Sequence, residues 1–252
     1  MFGVDGFKDA HLLAKIRLHP LRPREAVGIG MTEDGVVLAR LSASDEADGG
    51  WMVTASHTAA CACAPTDASS LAAAVRAALS SQGWERLPLG LALPAGLAVT
   101  AERELPTALT GEDLRAALLW AMRAEADAEG RTLPAALRLC CCARTDAEPY
   151  RYWSAVMEDA RVQAYFAAFS HAGMRLRRLT VCPPAGGALA PLIAAACRPQ
   201  MSWECQEMRA DLSEAVYAGL LVSMRSSSLS WCEERNIVQR IRSHAAEVIA
   251  AA

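Results

Sequence analysis

The side chains best able to do chemistry fall into a few short spans. Gly28, Gly30 and Gly35, with Thr32 and Asp34, form a glycine-bearing stretch whose backbone amides could cradle a phosphate. His57, Cys61 and Cys63 are the one cluster of metal-ligating side chains close in sequence. A structural zinc site takes four ligands, usually as two pairs, and no second pair accompanies this Cys-x-Cys, so the three are read as loop residues and no metal is assigned. Cys140, Cys141 and Cys142 follow one another; on a strand the first and third share a face, and all three read as thiols packed as small hydrophobes. There is no Cys-x-x-Cys redox pair, no G-x-S-x-G elbow and no H-E-x-x-H. His11, His19, His57, His171 and His244 are scattered, and His171 falls at a helix C-terminus, where the helix dipole favours a cation. Glu125, Asp127 and Glu129 read as a solvated helix face. No catalytic residue is assigned.

Composition narrows the classes further. With 53% apolar and 21% charged residues over 252 positions, the chain is a folded protein and not a globally disordered one. Its 25 Lys and Arg against 28 Asp and Glu leave a net charge of -3, which argues against a nucleic-acid partner. No stretch reaches the ~18 apolar residues of a spanning helix, so no transmembrane segment is expected. The N-terminus lacks the pattern of a secretory signal, and an odd total of nine cysteines suits reduced thiols, so a cytoplasmic location is expected.

The elements that must position these groups follow from turn chemistry and periodicity. Residues 1–26 read as a leader arm stopped by Pro20 and Pro23. Val27–Met31 and Val36–Leu41 flank Thr32-Glu33-Asp34-Gly35, a hairpin signal in which Gly35 is expected to supply positive φ. A loop over 45–50 leads to a third strand, Trp51–Ser56. Asp67 caps a helix over Ala68–Ser81 ended by Gly83, and a strand over Trp84–Leu93 stops at Pro94. Next come a strand over Gly96–Leu105 and a helix opened by a Thr110–Asp113 capping box. Strands over Ala136–Ala143 and Arg151–Val156, a helix over Glu158–His171 and a strand over Leu176–Cys182 complete this region. The remainder reads as helical: Ala185–Cys197, Leu212–Met224 and, after a serine linker, an amphipathic helix over Glu233–Ala252. Strands, helix, strand is the opening of an α/β domain of the ribonuclease-H or actin type.

Val27-Gly28-Ile29-Gly30 through Leu41, Leu91-Ala92-Leu93-Pro94, and Glu104-Leu105-Pro106 followed by Leu109–Leu118 resemble the type IV pilus assembly protein PilM family. Asp159–Val181, a helix ending Ala172-Gly173 and then a strand, is similar to a helix, A-G-L, strand segment of that family. The resemblance covers roughly residues 1–225. It implies an α/β, partial actin-like fold related to the cell-division protein FtsA, in which 27–95 and 174–225 form the first half and 96–173 an inserted α+β subdomain, with 226–252 a linker and C-terminal helix. The family's phosphate hairpin is of the type V-G-I-D-I-G. Here Gly30 stands at the acidic position and Thr32 at the next glycine, which removes the group that would organise Mg²⁺ and an attacking water. A second actin-like half, with its other phosphate loop and adenosine pocket, is not expected.

The resemblance also implies a partner: a PilN-like membrane protein whose cytoplasmic tail, of the type L-L-P-W-R-E-E-R, docks against the first half. Leu229-Ser230-Trp231-Cys232-Glu233-Glu234-Arg235 is similar to that tail without its proline. It reads either as a helix N-terminus capped by Ser230, with Glu233 completing the box, or as an intramolecular occupant of the tail groove or a remnant of a fused partner. Three functions are weighed. The first is a non-enzymatic scaffold for type IV pilus or type II secretion-like assembly, peripheral at the inner face of the membrane and without cofactor. The second is an actin-like ATPase or kinase relative binding ATP and Mg²⁺; the third is a thiol or metal sensor. The first is favoured, and an Ala- and Leu-rich seam adds self-association as an expectation.

Overall fold

The computed structural model describes residues 23–43, 50–144, 148–197, 210–224 and 228–233. The leader arm therefore lies outside the described residues except for 23–26, and the helix expected at 233–252 except for Glu233.

Strand β1 (Glu25–Met31) begins within the span read as the arm. It pairs antiparallel with β2 (Gly35–Ala43), and β2 pairs antiparallel with β3 (Trp51–Ala60), which runs four residues past the expected Ser56. Helix α1 (Ala68–Gln82) follows, with Asp67 accepting from the amides of Ser69 and Ser70 at 3.1 Å each and Gly83 ending it at φ 69°. Strand β4 (Leu89–Leu93) is shorter than expected. Residues 84–88 form a turn instead, because the Trp84 amide bonds back to Leu79 at 3.0 Å and Leu87 to Trp84 at 3.1 Å, and Pro88 has no N–H for a ladder.

Sequence alternation on these strands builds two layers. Val27, Ile29 and Met31 of β1 and Leu89, Leu91 and Leu93 of β4 pack with Leu71, Val75 and Leu79 of α1. On the opposite face of the sheet, Val37, Ala39 and Leu41 of β2 pack with a second cluster that includes Ala215, Val216 and Leu220. Strand period two thus puts α1 on one side of the sheet and the late helices on the other.

After β4 the chain forms a second sheet. A 3-10 turn (Ala95–Leu97) precedes β5 (Val99–Leu105), then come α2 (Gly111–Ala128), β6 (Leu137–Ala143) and β7 (Tyr150–Glu158), with strand order β5-β7-β6, all antiparallel. Leu114, Leu118 and Met122 of α2 cover one face of this sheet together with Cys141, Tyr152 and Val156. The expected capping box does not form: Thr110 makes no side-chain cap bond, and the chain enters α2 through Gly111 at φ 58°, a left-handed step that redirects the residue before it.

Helix α3 (Asp159–His171) then buries Val162, Tyr165, Phe166 and Phe169, and the Tyr165 hydroxyl donates to the Pro65 carbonyl at 2.6 Å. Strand β8 (Leu176–Val181) returns parallel to β4, giving the order β3-β2-β1-β4-β8. The helix expected at Ala185–Cys197 starts as a 3-10 turn (Pro184–Leu189) and is α-helical as α4 (Ala190–Cys197). Helix α5 (Ala210–Val222) lies across β1, β2 and β4, and no helix among the described residues is long and apolar enough to cross a membrane.

Candidate functional site

The glycine hairpin is built differently from the sequence expectation. Thr32 and Asp34 lie in the β1–β2 turn, where the Thr32 amide bonds to the Gly35 carbonyl at 2.9 Å and the exposed acids Glu33 and Asp34 form the tip. Gly35 has no positive φ; it is the first residue of β2, and a Cβ there would lie 2.2 Å from the Ala59 carbonyl oxygen on β3. The glycine is needed for a neighbouring strand, not for the turn. Gly28 and Gly30 are buried inside β1, away from the tip. A Cβ on Gly28 would lie 1.7 Å from the Ala215 carbonyl oxygen, and one on Gly90 of β4 2.1 Å from that of Ala218. These two glycines let the backbone of α5 sit directly on the sheet. Of the five residues proposed for the phosphate hairpin, Thr32 and Asp34 are therefore at the turn, Gly28 and Gly30 in the strand that precedes it and Gly35 at the start of the strand that follows.

The metal-like cluster is also dispersed. Among the described residues no group of three or more His, Cys, Asp or Glu side chains is arranged to hold a metal ion. His57 Nδ1 faces Gln82 Nε2 at 3.4 Å, while the Cys61 and Cys63 thiols contact each other at 2.9 Å. Burial, with the neighbouring Cys61, pushes the Cys63 thiol up to about 11, which keeps it protonated. In the triple cysteine, Cys140 and Cys142 join the main core and Cys141 the core under α2, as strand alternation requires. Burial raises Cys140 to about 12 and Cys141 to about 11, the latter against the pull of Arg115 and a Ser228 hydrogen bond. Glu125 accepts a two-pronged ion pair from Arg103, which lowers its carboxyl below the usual range; it is a structural partner and not half of an acid–base pair.

The residues brought together with most consequence are those of the tail-like segment. β8 is the last strand of the larger sheet and β6 the last of the smaller one, and residues 228–232 run between these two edges. Leu179 and Trp231 exchange both main-chain hydrogen bonds at 3.0 and 2.7 Å, and the Cys141 amide of β6 donates to the Ser228 carbonyl at 2.6 Å. The segment is antiparallel to β8 at Trp231, and its contacts with β6 run in the same opposed sense, from Cys141 opposite Ser228 to Arg138 opposite Cys232. Side chains add to the ladder: Thr180 Oγ1 donates to the Leu229 carbonyl at 2.6 Å, and Arg138 Nη1 to the Cys232 carbonyl at 2.8 Å.

Trp231 is 3% exposed and belongs to the main core; Leu229 packs against both core clusters, and Glu233 is exposed. Glu234 and Arg235, the rest of the segment, lie outside the described residues. The helix-cap reading of Ser230 does not hold over the described residues: 228–229 form a turn, Trp231 bridges to Leu179, 232–233 are not helical, and the Ser230 hydroxyl caps no amide among them.

Sequence reasoning missed the side chains that organise this groove. Arg178, buried on β8, donates from Nε to the Leu221 carbonyl at 3.2 Å and from Nη2 to the Met224 carbonyl at 2.5 Å, closing the C-terminal end of α5, while Nη1 reaches Cys232 Sγ at 2.7 Å. Its sequence offers little signal: β8 reads Leu-Arg-Arg-Leu-Thr-Val, and nothing in it tells buried Arg178 from exposed Arg177. Thr180 carries no clearer one. Beside Ser228 a cavity of about 340 Å³ opens, lined by Leu109, Leu114, Cys141, Tyr150 and Tyr152 among others. The Tyr152 hydroxyl is held by the Leu109 main chain, accepting from its amide at 3.0 Å and donating to its carbonyl at 3.2 Å.

These two sheets, with helices on both faces of the larger one and the smaller sheet set between its fourth and fifth strands in the chain, define an α/β domain of the actin-like class. The fold is PilM-like: a chain of the solved PilM–PilN type IV pilus biogenesis complex superposes with a TM-score of 0.51 at 19% identity, covering 69% of this chain and 52% of that one. The cytoplasmic domain of EpsL, an inner membrane component of the type II secretion system of Vibrio cholerae, is matched at TM-score 0.38 and 12% identity, over 62% of this chain and 57% of that one. The chain thus spans about half the length of the PilM–PilN complex chain it resembles. No protein-family profile matches the sequence, and no curated protein does.

Proposed function

We propose that the protein is a non-enzymatic scaffold for type IV pilus or type II secretion-like assembly, which holds the cytoplasmic tail of a PilN-like membrane partner in the groove between β8 and β6. The observation that carries this reading is the main-chain hydrogen bonding of Trp231 to Leu179 on the β8 edge and of Ser228 to Cys141 on the β6 edge. A groove that accepts one extended segment through its backbone is suited to others, because sheet-edge hydrogen bonds are independent of sequence and side-chain pockets supply the selection. The likeness in fold to a chain from a PilM–PilN complex supports the choice of partner. In this reading residues 96–173 are a subdomain whose β6 edge forms one wall, and the protein is cytoplasmic, held at the inner face of the membrane by its partner.

The reading requires no nucleotide. The β1–β2 tip presents Glu33 and Asp34, whose charges repel phosphate, and Gly28 is occupied with packing α5. The test is a titration of the intact protein with a fluorescein-labelled peptide Leu-Leu-Pro-Trp-Arg-Glu-Glu-Arg, beside thermal shifts with that peptide and with ATP and Mg²⁺. Saturable binding with a rise in Tm, and none with ATP, is the expected result, since a ligand at 100 times its Kd stabilises by about 2.7 kcal/mol. A shift with ATP and no peptide binding overturns the scaffold reading in favour of the ATPase one.

A further inference from the structure

We infer that residues 228–233 are a tethered competitor for the groove, and that an incoming tail displaces them by placing a large apolar side chain in the cavity beside Ser228. This rests on the tail-docking function proposed above and adds to it the regulation of the site and the chemistry of the tail that wins.

The contacts that hold the segment are chiefly to its main chain: the Leu179 and Cys141 ladders, Thr180 to the Leu229 carbonyl and Arg138 to the Cys232 carbonyl. Any extended tail in the same register reproduces them, so in an exchange they cancel. Side chains decide the balance: Trp231 and Leu229 pack into the core, whereas Ser228 and Ser230 are poorly matched to their surroundings. The 340 Å³ cavity is lined by Ser228 and by the apolar and aromatic walls of Leu109, Leu114, Tyr150 and Tyr152. A cavity of about 150 Å³ already holds a benzene ring. Ser228 is exposed and covers little of this open pocket, so its apolar walls are left to solvent, and a large apolar side chain there would remove that surface from water. The Ser230 hydroxyl and the Trp231 indole N–H are buried, at 4% and 3% residue exposure, with no hydrogen-bond partner among the described residues. An unpaired buried donor weakens whatever carries it. An apolar residue in place of Ser230 would remove one of these two defects.

The tether offsets the mismatch. A segment joined by a short linker competes at an effective concentration on the order of millimolar, so a free peptide of the same sequence gains little. Burying one large apolar side chain at the Ser228 position supplies a further tenfold or more in affinity, on the order of what such burial contributes.

The experiment uses the intact protein and two fluorescein-labelled peptides followed by polarisation: the chain's own residues 226–235, and the same peptide with Phe in place of Ser228. The expected result is that the Phe peptide binds at least tenfold more tightly. Ser228→Phe in the protein fills the cavity from within, raises Tm and weakens the Phe peptide at least tenfold. Trp231→Ala loosens the tethered segment and strengthens the same peptide by a similar factor; should that variant fail to fold, Ser228→Phe still decides. Equal binding of both peptides to wild type and Ser228→Phe overturns the competitor, while the docking function stands. Absence of binding by these peptides and by Leu-Leu-Pro-Trp-Arg-Glu-Glu-Arg, in every variant, overturns both.

Discussion

Leu179 and Trp231 form a doubly hydrogen-bonded antiparallel pair, with N–H to O=C distances of 3.0 and 2.7 Å in the two directions. This pair covers the outer edge of β8, which would otherwise present unpaired amides and carbonyls. On its other side the segment meets β6 through Cys141, so one short stretch of chain closes two sheet edges at once.

Thr180→Val tests how much the side-chain rung beside that pair contributes. It removes the 2.6 Å bond to the Leu229 carbonyl without changing shape, and a loss of about 1 kcal/mol in chemical denaturation is expected. Hydrogen exchange should show faster amides at Leu179 and Cys141 and unchanged ones at Ile29 and Leu91. Uniform acceleration across all four would mean that the segment does not open separately from the fold.

Gly28→Ala should destabilise by at least ~2 kcal/mol, because its Cβ would meet the Ala215 carbonyl oxygen at 1.7 Å and α5 would have to lift from the sheet. Gly50→Ala, with nothing within 4 Å of its Cβ, is the control and should stay within about 0.5 kcal/mol. A tolerated Gly28→Ala would contradict the close packing of α5 on β1.

The buried thiols set an alkaline limit. Burial raises Cys140 to about 12, above the 9.0 of an exposed thiol, so the folded state keeps its proton where the unfolded state loses it. Stability is therefore full below pH 9 and falls as pH rises toward 12, by up to about 1.4 kcal/mol per pH unit from this thiol. Tm measured from pH 7 to 10.5 should be flat and then decline, and Cys140→Ala should shallow the decline. With iodoacetamide at pH 8, exposed Cys232 should react before Cys140 and Cys141.

Glu125 works in the opposite direction. Its Arg103 partner lowers the carboxyl, so the ion pair stabilises above the unfolded carboxylate range and the contribution disappears as pH falls through the lowered value. Because the Glu125 side chain is 55% exposed, screening keeps the effect of Glu125→Gln below about 1 kcal/mol at pH 7. The difference from wild type should shrink steadily as pH falls below the usual carboxylate range; a difference independent of pH would point to packing of Arg103 instead.

Much of the local architecture was legible in the chain. The Asp34-Gly35 signal between two β-prone runs marked β1 and β2, Asp67 and Gly83 marked both ends of α1, and the apolar spacing of Val162, Phe166 and Phe169 marked α3, because each of these signals acts over a few neighbouring residues. The PilM-like order of elements followed from them. Signals of the same kind misled where a distant contact outweighed them. Gly35 looked like a turn glycine and is shaped by the Ala59 carbonyl; Gly28 looked like a phosphate-loop glycine and is shaped by α5. The groove shows the limit most clearly. Residues 229–235 read first as a capped helix start and only second as a docked tail, and only the edges of β8 and β6, assembled from far apart in the chain, place Trp231 and Ser228 in main-chain contact with them. A main-chain pair such as Leu179 and Trp231 depends on no side-chain type, so it leaves no trace in the sequence and exists only once both edges are in place.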